Sequence, residues 1–506
     1  MAQPEGCSAA HLPAAILELI AERLSFTHKL AMCGVNRHWR QALVGSRLLW
    51  DRTVLDFTGT EEEQLAQMLA FAAARAQGIR ELELTLGDSE QWTEASFLLG
   101  TLRPSLRRLL ISAPDSSAEL PAGGAACFFA LPGLTALDLD NCVASLGPGI
   151  GQLRRLQELL VSRDELSYDF ELPPELGRLT ALTRLELVRC VSGHLPVELG
   201  RLTRLRLLNL QGSDLYESTA ELGEVLGTLV NLEELDLGGC NLADVPTTLS
   251  LLTALTTLSL DSFVCPHSWA TDTWDAKLAC LSTLKGLLYL ELGDNELTSV
   301  PPSVAGLRRL ETLKLGLNPI TEAGLADGPY LDSLLHLDLR GGRFTVLPQH
   351  LTRARNLQFL GLSCCHELVL DRQLAEGVLG RLRSLATLTL CGQMMQSVDS
   401  ARMALALGRM LPGLDIISHG EEEEDSEGDD GSAEEDSDFE TDEEEEEEDE
   451  VWDEQHGAGH SDDDDGAETA SEGGGSQAGG PDGWGGGIPA DGGQYGLLGS
   501  GDWGFH

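Results

Sequence analysis

The six-residue motif L-x-x-L-x-L, copied again and again through the middle of the chain, limits its folding more than any other feature. It reads "LTALDLDNC" (134–142), "LTRLELVRC" (182–190), "LRLLNLQGS" (205–213), "LEELDLGGC" (232–240) and "LTTLSLDSF" (255–263). It continues as "LLYLELGDN" (287–295), "LETLKLGLN" (310–318), "LLHLDLRGG" (334–342), "LQFLGLSCC" (357–365) and "LATLTLCGQ" (385–393). Weaker copies start at Ile79, Leu106 and Leu156, which makes thirteen units, mostly 22 to 28 residues apart. One such unit cannot bury its own leucines, whereas a stack of them closes a continuous core beneath a ladder of parallel strands. Linkers such as "ELPPELGRLTAL" and "SVPPSVAGLRRL" open on proline, which suits a short helical or irregular return with inward leucines.

The motif and its period are those of leucine-rich repeats. The expected fold class is therefore α/β, a leucine-rich-repeat solenoid with a curved parallel strand ladder over residues 79–418. At the ninth position of the units stand Cys142, Cys190, Cys240, Cys365, Asn295 and Asn318. In leucine-rich repeats this is an inward site, where Asn bonds turn backbone and Cys fills a similar small volume. These cysteines thus read as structural, and no zinc spacing or C-x-x-C pair appears among the eleven. The period breaks once, with an insertion near 263–286 that carries Trp269 and Trp274. Insertions in solenoids map to loops, so these tryptophans form either a binding edge or a plug over their own repeat.

The fifth position of each unit falls mid-strand on the expected concave face. Down the array it holds Glu83, Asp138, Glu186, Asp236, Glu291 and Asp338 against one cation, Lys314, with Glu158, Glu233 and Glu234 nearby. Such a stripe is either an ordinary solvated face or a groove that attracts a basic protein segment. It disfavours a nucleic-acid ligand, which needs cations to neutralise phosphates.

Charge is uneven. The formal net charge is −48, and from His419 onward the chain has 33 Asp and Glu and no Lys or Arg, leaving −48 + 33 = −15 for the rest. A segment with so little to bury and so much self-repulsion is expected to be disordered, first acidic and then Gly-rich, over 419–506. Ser426, Ser437, Thr441 and Ser461 each precede an acidic residue by three positions, the pattern of an acid-directed kinase site. No apolar run approaches the roughly 18 residues that span a bilayer, and the N-terminus lacks a basic leader, so an intracellular protein in cytoplasm or nucleus is expected, without membrane partners.

The N-terminus reads as three short helices. Pro13 suits a first turn, with Ile16, Leu17, Ile20 and Leu24 on one face; Thr27 is the expected cap of a second helix and Asn36 the start of a third. A further helix, 60–77, has Thr60 as its expected cap and Glu61–Glu63 at its positive end. The stretch "LPAAILELIAERLSFTHKLAMCGVNRHWRQALVGSRLLW" (12–50) resembles an F-box: Leu-Pro, Ile-Leu, then Ile, Leu, Val-x-Arg-x-Trp-Arg and a closing Leu-Trp. The resemblance implies a small three-helix F-box (10–56), a linker helix (57–78), and docking to the Skp-type adaptor and cullin of a ubiquitin ligase. It also implies adaptor-facing roles for Leu12, Pro13, Ile16, Leu17, Ile20, Leu30 and Val35, with Arg37, Trp39 and Trp50 knitting the helices. A plainer reading makes the segment a cover for the first repeat.

No phosphate loop, nucleophile elbow or metal motif supports catalysis, and no cofactor is implied. An F-box ahead of leucine-rich repeats implies a non-catalytic substrate receptor of an SCF-type ligase that holds a protein target for ubiquitination, and the acidic open face suits a basic one. Repeats followed by an acidic tail also resemble the acidic leucine-rich nuclear phosphoproteins, which implies a scaffold for histones or other basic proteins instead.

Overall fold

Leucines one, four and six of each unit alternate along an extended chain, so two of the three share one face of a strand and bury there together. In the computed structural model they build a single parallel sheet of fifteen strands in strict sequence order. The structure describes residues 12–419 except 89, 115–125, 144, 165–169, 171, 264–273, 393, 394 and 396. The expectations for Trp269 and for the tail from 420 onward therefore lie outside the described residues.

The first five-residue strands are β1 (Arg52–Asp56), β2 (Glu81–Thr85), β3 (Arg108–Ser112), β4 (Ala136–Asp140), β5 (Glu158–Ser162) and β6 (Arg184–Val188). Three-residue strands follow: β7 (Leu207–Asn209), β8 (Glu234–Asp236), β9 (Thr257–Ser259), β10 (Tyr289–Glu291), β11 (Thr312–Lys314) and β12 (His336–Asp338). The array ends with β13 (Phe359–Leu362), β14 (Thr387–Cys391) and β15 (Asp415–His419). The thirteen units read from the sequence are β2 to β14, and the sheet adds one strand at each end. Most central returns are five-residue 3₁₀ turns that start at or just after proline, as at Pro174–Arg178 and Val197–Arg201. Their leucines, such as Leu176 and Leu199, are buried.

The ninth-position residues form a second ladder. Cys142, Cys190, Cys240 and Cys365 donate their thiols to the carbonyls of Ile111, Val161, Leu210 and Leu339, at 3.0 to 3.5 Å. Asn295 and Asn318 donate to Leu260 and Leu292 at 2.6 and 2.7 Å. Every acceptor is the sixth residue of the preceding unit, so the contact recurs with the repeat. Burial pushes the Cys190 and Cys365 thiols up to about 12, so they stay protonated donors rather than metal-binding thiolates. Just before this site, the eighth residue turns the chain through the left-handed region, at Asn141, Arg189, Ser262, Asp294, Leu317 and Cys364, and at Gly212, Gly239 and Gly341.

The N-terminal segment forms α1 (Ala14–Glu22), α2 (Phe26–Val35), α3 (Arg37–Gly45) and α4 (Arg47–Asp51), which runs directly into β1. Ser25, not Thr27, caps α2: it precedes the first helical residue, and its Oγ accepts from His28 N, while Thr27 lies inside the first turn. Asn36 caps α3 through Oδ1 and Trp39 N at 2.9 Å. The helix α5 (Glu62–Ala73) joins β1 to β2, so residues 57–78 serve as the first repeat's return rather than as a separate linker. Thr60 does not cap it; its hydroxyl turns back to Phe57 O at 2.8 Å, and Glu61 takes the cap position.

Trp50 joins the two parts. It occupies the first leucine position of the first unit, ahead of buried Thr53 and Leu55, and its Nε1 donates to Leu43 O in α3 at 2.8 Å. Its ring meets Phe26 of α2 at 5.7 Å and Phe71 of α5 at 4.8 Å, and the Arg75 guanidinium lies 3.2 Å from the Phe71 centroid. Edge-to-face aromatic packing and a cation over a ring each add to the area buried.

Candidate functional site

The strand register sets the open face of the sheet residue by residue. The fifth-position row runs Val54, Glu83, Leu110, Asp138, Leu160, Glu186, Asn209, Asp236, Ser259, Glu291, Lys314, Asp338, Gly361. All six expected acidic residues lie in this row, but they do not form a continuous acidic stripe. Between them stand leucine, asparagine, serine and lysine, because neighbouring units differ at this position.

Most of these acids also have a cation. Glu83 pairs with Arg52 at 3.1 Å, Glu186 with Arg184, Glu291 with Lys314 at 3.2 Å and Asp338 with Arg340 at 3.8 Å. Glu158 pairs with Arg108 at 3.2 Å across β4, over the small Ala136, and Glu233 pairs with Arg206 at 2.8 Å. Asp236 accepts from Gly238 N at 2.9 Å. Asp138 has no hydrogen bond or ion pair among the described residues. Burial, with Asp140 and Glu186 adding to it, pushes its carboxyl up to about 6. A carboxyl raised in the folded state holds its proton more tightly there than in the unfolded chain. Its ionised form therefore costs stability at pH 7, and the cost fades as pH falls through 6 toward the ordinary carboxylate range.

Asp138 lies in a cavity of about 420 Å³ on β2 to β6, lined by Glu83, Leu110, Asp140, Leu160, Glu186 and Val188 among others. Further along, the third-position row presents Tyr289, His336 and Phe359. His336 and Phe359 stack at 4.0 Å, and Tyr289 hydrogen-bonds Glu291 at 2.5 Å. Burial lowers the His336 pKa, so the stacked ring is neutral at pH 7. Trp274 opens a short helix, Trp274–Lys277, in a return segment, where it packs half-buried against the core.

On the N-terminal helices, Ile16, Leu19 and Ile20 share an exposed face of α1, at 44, 63 and 42% exposure. Val35 is also exposed, Pro13 sits at the cap of α1, and Leu12 and Leu30 are half-buried. Leu17 cannot face a partner as expected: it is turned about 100° from Ile16 around α1 and is fully buried with Ala21. Arg37 does not knit the helices either, since it is exposed and without a hydrogen bond or ion pair among the described residues. That work falls to Arg40, whose Nε donates to Cys33 O at 3.1 Å, to His38, which donates to Leu12 O at 2.9 Å, and to Trp50. Trp39 is half-buried against the core. Leu19 escaped the sequence reading, although its i+3 spacing from Ile16 marks the same face.

Among the described residues no group of three His, Cys, Asp or Glu could hold a metal ion, and no helix is long and apolar enough to cross a membrane. No family profile matches the chain, and no curated protein matches it. Solved structures do. A leucine-rich-repeat protein of Leptospira interrogans is 20% identical over 80% of this chain and 98% of its own, with a TM-score of 0.48. An internalin of Listeria monocytogenes is 21% identical over 64% of this chain and 88% of its own, with a TM-score of 0.44. At these scores the likeness goes no further than the repeat architecture that the sheet displays by itself. Fifteen parallel strands in sequence order, over a core of leucines at fixed positions, make the fold an α/β leucine-rich-repeat solenoid.

Proposed function

We propose that this chain is the substrate-recognition subunit of an SCF-type ubiquitin ligase, non-catalytic itself. Helices α1 to α4 dock the Skp-type adaptor, and through it the cullin, while the open face of the repeats holds a target protein. The observation that carries this reading is the apolar face of Ile16, Leu19 and Ile20, left in solvent on a helical unit whose other side is buried. A unit that only covered the first repeat would need the apolar residues it buries, and α1 carries three more that stay exposed. Apolar residues grouped in this way on a surface mark a protein contact. The resemblance of residues 12–50 to an F-box says which contact.

The test is binding of the full chain to purified Skp-type adaptor, with Ile16→Glu/Ile20→Glu as the comparison. Each isoleucine is a little under half exposed, so burying what remains stabilises a complex by roughly 1 to 3 kcal/mol in total. The double variant should therefore bind at least about tenfold more weakly, with its melting temperature little changed because neither side chain is in the core. Equal binding by the two proteins, or none by either at micromolar concentrations, would refute the ligase reading. The acidic cavity around Asp138 favours a second reading, a scaffold for basic proteins outside ubiquitination, which a failed adaptor test would bring forward.

A further inference from the structure

The open face between β2 and β6 has features that ligase docking does not use. In register, five neighbouring strands present Glu83, Leu110, Asp138, Leu160 and Glu186, an alternation of acid and leucine. The spacing is about 4.8 Å from strand to strand. Two rows bound it. On one side the Arg108–Glu158 pair bridges over Ala136. On the other, Asp140 accepts from Ser112 and Ser162 at 2.9 and 2.8 Å, one serine from each neighbouring strand.

The charges sort themselves. Arg52, Arg108 and Arg184 are each matched by a glutamate. The unmatched charge at the centre of the cavity is thus Asp138, with Asp140 beside it held by neutral hydroxyls. A carboxylate half withdrawn from water between two leucines costs the free protein stability, and so stands ready to gain from a cation. The leucines give that cation an apolar channel. A metal ion fits poorly, because among the described residues no three ligating groups converge. A long side chain with an alkyl stem and a cationic head fits both features.

We propose that the β2–β6 cavity is a receptor pocket for a single lysine or arginine side chain on an extended segment of the target protein. The stem lies between Leu110 and Leu160, and the head pairs with Asp138. The inference deepens the target-binding half of the function proposed above and rests on the open face being the target surface. It replaces a general attraction to basic proteins with one position, and it leaves the aromatic row of Tyr289, His336 and Phe359 for other parts of the same segment.

The test uses the full chain and an unstructured nonapeptide with one central arginine, its lysine counterpart, and a citrulline counterpart that keeps the shape without the charge. The 33 acidic residues from His419 onward are common to every variant, so their general attraction cancels between variants. Asp138→Asn should weaken the arginine and lysine peptides at least tenfold, and the citrulline peptide should bind the wild type as weakly. The same substitution should raise the melting temperature at pH 7, an effect opposite to that of removing a structural residue. Leu110→Ser should weaken the cationic peptides without altering local charge, and Asp338→Asn, whose carboxylate faces Arg340, should change them less than twofold. Equal binding of arginine and citrulline peptides, or equal loss in Asp138→Asn and Asp338→Asn, would overturn the proposal. Adaptor binding is read on the same preparations through residues 12–50. Loss of the pocket with the adaptor retained defeats the partner class alone, and the converse defeats only the ligase reading.

Discussion

Trp50→Ala is expected to lower the stability of the N-terminal part of the molecule by about 3 to 5 kcal/mol, the usual cost of truncating a buried tryptophan. The position makes the loss local before it becomes global. Trp50 fills the first leucine position beneath β1 and also touches Phe26 and Phe71, so the cavity opens where helices and array meet. The indole N–H bond to Leu43 O goes as well, leaving that carbonyl at the end of α3 with only the longer bond from Ser46 N at 3.3 Å. Stability in stacked repeats is close to a sum of each unit and its neighbour interfaces, so an end unit can come loose while the rest stays folded. Chemical denaturation of the variant should show an early transition at lower denaturant, followed by a main transition near that of the wild type. A single unshifted transition would mean that α1 to α4 are held by other contacts. A fragment ending at residue 56 should fail to fold, because it lacks Phe71 and Arg75.

The second large effect is expected at Asn318. Its amide donates to Leu292 O, Leu315 O and Gly316 O at 2.7 to 3.2 Å, and its Oδ1 accepts from Asn295 N and Leu297 N at 3.0 and 2.8 Å. The side chain is 1% exposed, so no water replaces these partners. Each buried group left unsatisfied costs about 1 to 3 kcal/mol, which puts Asn318→Ala at about 3 kcal/mol or more. Cys365→Ala removes one weak thiol donor from the equivalent position and should cost about 1 to 2 kcal/mol, mostly lost packing. Comparing the two denaturation midpoints checks this. Similar losses would show that the ninth position acts through volume rather than through its amide.

Much of this was legible before the structure. The leucine period placed β2 to β14, and the Cys and Asn column at the ninth position announced the inner ladder. The end strands were hidden because their side chains break the motif: Trp50 and Thr53 stand in for leucine in β1, and Gly413, Ile416 and Ser418 do so in β15. The left-handed eighth position shows in the sequence only where it is glycine, asparagine or aspartate, as at Gly239, Asn141 and Asp294. Arg189, Leu317 and Cys364 adopt it because the repeat imposes it.

The functional surfaces were half legible. Reading one column down the array found the acids but missed Arg52, Arg108 and Arg184, which sit two residues before the fifth position and pair with Glu83 on the adjacent strand, Glu158 two strands away and Glu186 on the same strand. Only cross-strand register tells that, of the six fifth-position acids, Asp138 is the one left with neither a hydrogen bond nor an ion pair among the described residues. In α1, the run Ile16-Leu17 looks uniformly apolar, yet a turn of 3.6 residues sets the two about 100° apart around the helix. One packs and one is presented.

Residues 12–50 have a double role, as cover for the first repeat and as adaptor surface. Hydrogen exchange on the full chain, with and without saturating Skp-type adaptor, reads both roles at once. Without adaptor, amides of α2, α3 and β1 should already be protected, since they are packed around Trp50. On adding adaptor, protection should rise over 14–22 and the C-terminal end of α2 and stay unchanged in β3 to β15. No change anywhere in 12–50, or protection appearing only along the open face of the sheet, would contradict that double role.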